Sequence, residues 1–221
     1  MGLFNPYLEF YRAMPLAYRR DPSVPPSIAE LLSPEWLKLK SAIAGHFAWA
    51  VPTEEAVRVV AKYSTRVVEI GAGSGYWAWM MRQAGVTVAA FDADPPAFTW
   101  DKVTRGDERA IHSCPDHMLL LCWPPWHSDM ACNALSCHRG DYFAYVGEWM
   151  AGSANPRFFA QLVSTFEPVE HVNIPQWYNR DDSLMIFRRR SRTGIGIHKL
   201  LGTTGFAAIP ANSAPTLDYF W

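Results

Sequence analysis

The chain has 221 residues, 20 Lys and Arg against 21 Asp and Glu, and a formal net charge of -1 at pH 7. Apolar residues make up 49 % and charged ones 19 %, which excludes a disordered chain, because there is enough apolar surface to offset the entropy lost on folding. The balanced charge argues against bulk electrostatic binding to nucleic acid or membrane, which relies on many Lys and Arg, and it leaves ten tryptophans to be placed.

The length fits one large domain or two small ones. No stretch approaches the roughly 18 apolar residues of a membrane span. Met1-Gly2-Leu3-Phe4-Asn5 lacks the basic-then-apolar grammar of a signal peptide, so the chain reads as soluble and cytoplasmic. Residues 1 to 27, with Pro6, Pro15, Pro22, Pro25 and Pro26, read as an irregular arm. Ser33-Pro34-Glu35 then marks a helix start with proline in its first turn, and Thr53 with Glu54 and Glu55 marks a second.

From Arg66 short apolar runs alternate with helical patterns, as in a parallel sheet with crossover helices. Val67-Val68-Glu69-Ile70 is the first strand, Gly71 to Gly75 a glycine turn, and Trp77, Met80, Met81 and Ala84 a helical stripe. Val86 to Phe91 is the second strand, and a short third is expected near Arg109-Ala110-Ile111. Met118 to Cys122 is the fourth, a helix covers Ser128 to Cys137, and Tyr142 to Val146 is the fifth. After a helix capped by Asn155-Pro156, two strands follow at Val169 to Ile174 and Ser183 to Phe187. The loop between them is too short for a parallel crossover, so they are antiparallel. The expected fold is α/β: a Rossmann-like, seven-stranded, mostly parallel sheet with a C-terminal antiparallel hairpin and helices on both faces. Residues 1-50 form an N-terminal arm and helices, 51-190 the ligand-binding domain, and 191-221 a tail.

The glycine turn carries the first functional signal. Glu69-Ile70-Gly71-Ala72-Gly73-Ser74-Gly75 closes a strand and opens a helix, and Asp92 ends the next strand, where it can accept hydrogen bonds from ribose hydroxyls. The pattern is G-x-G-x-G rather than the G-x-G-x-x-G of dinucleotide sites, with Tyr76 in place of the third glycine. An acidic Glu69 repels a pyrophosphate but suits a cationic cofactor, so S-adenosylmethionine fits better than NAD.

On E-I-G-A-G-S-G at 69 to 75, Asp92 and the closing hairpin, the sequence resembles the class I S-adenosylmethionine-dependent methyltransferases over roughly residues 50 to 190. The resemblance implies the methionyl part of the cofactor over the glycine turn and its ribose on the acid after strand two. It assigns cofactor contacts to Glu69, Gly71, Ala72, Gly73, Gly75, Asp92, Ala93 and Cys122.

Ligands in open α/β sheets sit at the carboxyl ends of the strands. Trp123-Pro124-Pro125-Trp126 there resembles the (Asp/Asn/Ser)-Pro-Pro-(Tyr/Phe/Trp) motif of amino-methyltransferases, but Trp123 stands where the polar residue belongs, and an indole has no acceptor atom. Planarity of the acceptor is the better-supported inference. Trp123, Pro124, Trp126, Trp149 and Trp177 are the candidate substrate wall. His127 and Glu148 are the candidate bases, against the alternatives of an inert helix-start residue and a salt-bridging carboxylate. Four Cys and four His between 112 and 138 lack zinc spacing, so no metal is expected. Arg188-Arg189-Arg190 with Arg192 reads as a solvated strand end or an anion contact.

The resulting expectation is methyl transfer from S-adenosylmethionine to a small planar N- or O-nucleophile, with a small-molecule acceptor as partner. Nucleic-acid base methylation and a non-catalytic interaction protein of the same fold are the alternatives.

Overall fold

A computed structural model describes residues 2-19 and 33-191, and those up to Arg190 belong to one unit. Its framework is a seven-stranded sheet: β1 (Arg66–Ile70), β2 (Thr87–Asp92), β3 (Val103–Arg105), β4 (Met118–Cys122), β5 (Tyr142–Glu148), β6 (Phe166–Asn173) and β7 (Asp182–Arg189). The order is β3-β2-β1-β4-β5-β7-β6. Strands β1 to β5 run parallel, while β7 is antiparallel to both β5 and β6. This is the Rossmann-like sheet with a C-terminal hairpin that the sequence predicts. Reversing β7 brings its first residue, Asp182, to the same edge as the carboxyl ends of β1, β4 and β5.

Helices α1 (Pro6–Ala13), α2 (Pro34–His46), α3 (Glu54–Tyr63), α4 (Tyr76–Gln83), α5 (Met130–Cys137) and α6 (Pro156–Thr165) cover the sheet. Four of them start on side-chain caps: Asn5, Ser33, Thr53 and Asn155 accept from the backbone N–H of Leu8, Trp36, Ala56 and Phe158. Each cap satisfies a donor that the first helical turn leaves unpaired.

Side chains alternate across each strand, so the sheet has two different faces. On one, Val67, Leu120, Ala144 and Leu184 pack with α3, α4 and the N-terminal aromatics Tyr7 and Trp36. On the other, Val68, Leu119, Phe143 and Phe187 pack with α5 and α6 through Leu135, Phe158 and Phe159.

Three expectations need correction. Within residues 1 to 27, the described part is not irregular: Asn5-Pro6 caps α1, and Tyr7 is wholly buried. The third strand is Val103–Arg105, paired with Ala90 to Asp92, while Arg109-Ala110-Ile111 lie in a 3-10 helix, Glu108–Ser113, which starts on Asp107. The last two strands are also longer than expected, because β7 pairs on both sides and draws Asp182 and Arg189 into the ladder. Residues 20-27 of the arm and 192-221 of the tail lie outside the described residues.

The arginine run is used within the unit. Arg188 pairs with Glu167, Arg189 donates to the carbonyls of His138 and Gly140, and Arg190 reaches Glu167 and the Val163 carbonyl. Among the described residues, no helix is long and apolar enough to cross a membrane and no group of three metal-ligating side chains occurs.

Candidate functional site

The glycine turn joins β1 to α4, and its three glycines all take left-handed backbone: φ is 72° at Gly71, 52° at Gly73 and 73° at Gly75. At Gly75 a side chain is excluded twice, since a Cβ would also lie 2.7 Å from Val103 Cγ2. Asp92 clasps the turn from the end of β2. Its Oδ2 accepts from Gly73 N–H at 2.8 Å and its Oδ1 from Asp94 N–H at 2.9 Å. The Ala72 N–H bonds the Phe91 carbonyl, and Gly106 N–H bonds the Asp92 carbonyl, so the tips of β1, β2 and β3 are tied together. The expected ligand-facing residues at this end are thus adjacent, with Ala93 exposed beside them.

Beneath the turn, Glu69 is 1 % exposed and its Oε2 has no hydrogen-bond partner. Burial pushes its carboxyl up to about 8, opposed by the Ala78 N–H in the first turn of α4, with Asp92 and Asp101 adding repulsion. A buried acceptor without a donor costs roughly 1–3 kcal/mol. Such a group suits a ligand cation better than it suits the resting fold.

Cys122, at the end of β4, lies on the same face of the sheet. Burial raises its thiol, and the carboxyls of Glu69 and Asp182 both raise it further. It therefore stands between two buried acids.

The second acid, Asp182, has no counterpart among the residues expected from sequence. It is fully buried, its Oδ1 accepts from the Trp123 indole N–H at 2.6 Å, and its Oδ2 has no hydrogen-bond partner. Burial pushes its carboxyl up to about 7, and Glu148 adds to the rise, while Trp123, Lys40 and Arg180 oppose it. Glu148 is its direct cross-strand partner, and like charges opposite one another are destabilising.

Glu148 itself is well satisfied. Its Oε2 accepts from Gly152 N–H at 3.0 Å and lies 3.5 Å from Arg180, and its Oε1 accepts from Asp181 N–H at 3.0 Å. The structure thus gives this candidate base the partners of a loop brace. Lys40, half-buried on α2, completes the group: burial lowers it to about 8, Arg180 adds to the fall, and Asp182 and Glu148 resist it.

The aromatic turn departs from its expected roles. Trp123 is 7 % exposed, stacks on Trp49 at 5.8 Å and carries Arg180 over its ring at 5.4 Å. The Pro124 carbonyl accepts from Ala154 N–H at 2.7 Å and is already engaged. Trp126 is half-buried and His127 is exposed, with no hydrogen bond to a described residue.

Trp149 is not at the cofactor-side rim. It points to the opposite face and packs on Phe159 and Phe187, because it is one residue past Glu148 and strand side chains alternate. Trp177 is 1 % exposed, packed on Tyr11 and Trp36 and donating to Tyr7 Oη at 3.1 Å. It is core, with no free face for a substrate.

Backbone strain gathers at this edge. The four described non-glycine residues with positive φ are Trp123, Met150, Ala154 and Asn179, at 51°, 54°, 57° and 55°. All lie in the loops after β4, after β5 and before β7. Each such residue costs on the order of 1–3 kcal/mol, with Asn the most tolerant, and such strain clusters at functional sites.

No protein-family model and no curated protein matches the chain. Among solved structures it is similar to the N-methyltransferase NodS from Bradyrhizobium japonicum WM9 with S-adenosylhomocysteine, at 11% identity over 85% of this chain and 100% of that one, TM-score 0.46. It is similar to the Burkholderia thailandensis 1,6-didemethyltoxoflavin-N1-methyltransferase at 16% identity over 62% of this chain and 77% of that one, TM-score 0.43. The 23S rRNA methyltransferase ErmE matches at 17% identity over 64% of this chain and 70% of that one, TM-score 0.40. The strand order itself defines the fold.

Proposed function

We propose that the protein binds S-adenosylmethionine at the β1–α4 turn and transfers its methyl group to a small, flat N- or O-nucleophile. The observation that carries the reading is the turn itself: three left-handed glycines clasped by Asp92 over a buried carboxyl with an unpaired oxygen. The residues fit the cofactor. Gly71, Ala72, Gly73 and Gly75 give close backbone approach, Asp92 is placed for the ribose, and Glu69 Oε2 for the methionyl ammonium. When bound, the cofactor supplies an electrophilic methyl on sulfur, so the protein's task is chiefly alignment and exclusion of water. Cys122, at the end of β4 on the same face as Glu69, is a further candidate cofactor contact.

A small acceptor is favoured over nucleic acid by the buried, unpaired carboxyl oxygens at this edge and by the pairing of Arg188, Arg189 and Arg190 with groups of the same unit. Ribosomal or transfer RNA would need exposed cations along the backbone path, and its binding would fall steeply with salt.

Titration calorimetry with S-adenosylhomocysteine tests the reading. Binding in the micromolar range is expected for the full chain, with a loss of about tenfold or more in Asp92→Asn, which keeps one acceptor oxygen but removes the charge. A folded sample that gives no heat with the cofactor product overturns the assignment.

A further inference from the structure

We propose that Asp182 is the acceptor-recognising group of this site: its free Oδ2 receives the N–H or O–H donor of a flat heteroaromatic acceptor bordered by the Trp49–Trp123 pair. The inference rests on the methyl-transfer reading for the identity of the reaction, but on separate residues for the site.

The geometry begins with strand parity. Glu69, Cys122, Glu148 and Asp182 share one face of the sheet, at the carboxyl edge, on β1, β4, β5 and β7. Three strand spacings separate β1 from β7, roughly 14 Å. That distance sets the two carboxyls far enough apart to serve two different ligand groups, the cofactor amino-acid moiety at Glu69 and the acceptor at Asp182.

Two buried carboxyls with unpaired oxygens mark the two ends. The first is beside the glycine turn; the second is beside stacked indoles and has no role in holding the turn. Several polar groups around Asp182 have partners other than Oδ2. Its Oδ1 takes the Trp123 indole, its backbone carbonyl takes Gln176 Nε2 at 3.1 Å, and Glu148 is held by Gly152, Asp181 and Arg180. Tyr7 is committed to the Ala48 carbonyl and to Trp177.

Lys40 makes no hydrogen bond among the described residues, so it balances the charge without pairing Oδ2. Trp123 has no acceptor atom. By donating to Asp182 it fixes a carboxyl oxygen beside its own ring, and the site recovers there the acceptor that the tryptophan cannot supply. The left-handed Trp123, Met150, Ala154 and Asn179 hold the three loops that build this corner.

On transfer to an N–H or O–H nucleophile, the N–C or O–C bond forms as the S–C bond breaks, sulfur leaves with the electron pair, and the displaced proton passes to Asp182 Oδ2. A buried hydrogen-bonding oxygen discriminates strongly against an analogue that lacks the donor, because that analogue leaves the oxygen unpaired.

The probes are an aminoquinoline, the methylquinoline with its substituent at the same ring position, and the corresponding quinoline carboxylate. They are titrated into the full chain with and without S-adenosylhomocysteine. The amine is expected to bind about tenfold or more tightly than the methyl compound. Asp182→Asn keeps an oxygen for the Trp123 indole but presents an N–H in place of Oδ2. It should lose the preference for the amine, gain binding of the carboxylate, and keep S-adenosylhomocysteine binding unchanged. Trp49→Leu should weaken amine and methyl compounds alike.

Equal binding of amine and methyl compounds by the wild type, a preference that survives in Asp182→Asn, or no binding of any probe overturns the proposal. Failure of S-adenosylhomocysteine binding alone overturns the cofactor reading and leaves the amine-against-methyl comparison to decide this one.

Discussion

The two faces of the sheet are built to different rules. The α5/α6 face is a dry aromatic core: Phe143, Phe158, Phe159, Phe166 and Phe187 are nearly or wholly buried and touch one another, and its buried polar groups are paired, as His138 is to the Tyr142 carbonyl. The opposite face buries as many aromatics but also keeps Glu69 and Asp182 with unpaired oxygens, and Lys40 there makes no hydrogen bond among the described residues. One face stores stability. The other gives some of it up at the carboxyl edge, where the glycine turn and the strained loops lie. An unsatisfied buried group is tolerated when function requires it.

Substitutions can separate the two rules. The largest effect is expected on the dry face, where Phe143→Ala should cost about 3–5 kcal/mol in denaturant unfolding yet leave S-adenosylhomocysteine affinity of the folded fraction unchanged. A matching loss of affinity would show that the faces are not independent.

Gly75→Ala comes next. Its Cβ would meet Val103 and require left-handed backbone at an alanine, so stability should fall by about 1–2 kcal/mol, and cofactor-product binding should be lost out of proportion to that.

Glu69→Gln sharpens the contrast through pH. Burial holds this carboxyl above its ordinary value, at about 8, with Asp92 and Asp101 facing it and the Ala78 N–H opposing. Between the unfolded value and 8, the folded chain keeps a proton that the unfolded chain has released. This group's contribution to stability is therefore present below the unfolded value and is lost as pH rises towards 8, with a limiting slope of about 1.4 kcal/mol per pH unit. The glutamine variant should show a flatter stability profile over that window. In the wild type, a bound ammonium should draw the proton off, so binding of S-adenosylhomocysteine should release a proton near neutral pH. Calorimetry in two buffers of different ionisation heat reads this release, and Glu69→Gln should abolish it.

The smallest effect is expected for His127→Asn. The ring is exposed and bonded to no described residue, so melting temperature and cofactor-product affinity should stay at their wild-type values. A large change in either would restore it to the site.

Much of this organisation was legible in the residues. The glycine turn, Asp92 and the sheet carry signals that are local in sequence: a strand period, a Gly-rich turn and cap residues before Pro34 and Pro156. Asn5-Pro6 is the same cap signal, but a proline-rich stretch conceals it. Val103–Arg105 is short and largely exposed, with little apolar pattern to mark it as the third strand.

The acceptor end was the least legible. Trp149 lies near a strand end in sequence, but which face its side chain meets depends on a parity that a one-residue error inverts; Trp177, in the loop between β6 and β7, is taken into the core by Tyr7, Tyr11 and Trp36 from the start of the chain. Asp182 gave no signal because its meaning arises only when β7 reverses and sets it opposite Glu148 and beneath Trp123. Three separated segments meet there.

The burial of Tyr7 bears on how the chain folds. Its hydroxyl meets Trp177, 170 residues away, and four residues later Tyr11 donates to the Gln176 carbonyl across 165 residues. The first helix therefore cannot reach its final seat until the last hairpin of the sheet has been synthesised. During translation the aromatics of α1 must wait exposed, and their docking closes a loop of 170 residues. Such non-local closure is entropically costly and slow. Refolding should thus show a late phase sensitive to Tyr7 and Trp177, after the parallel strands have already paired.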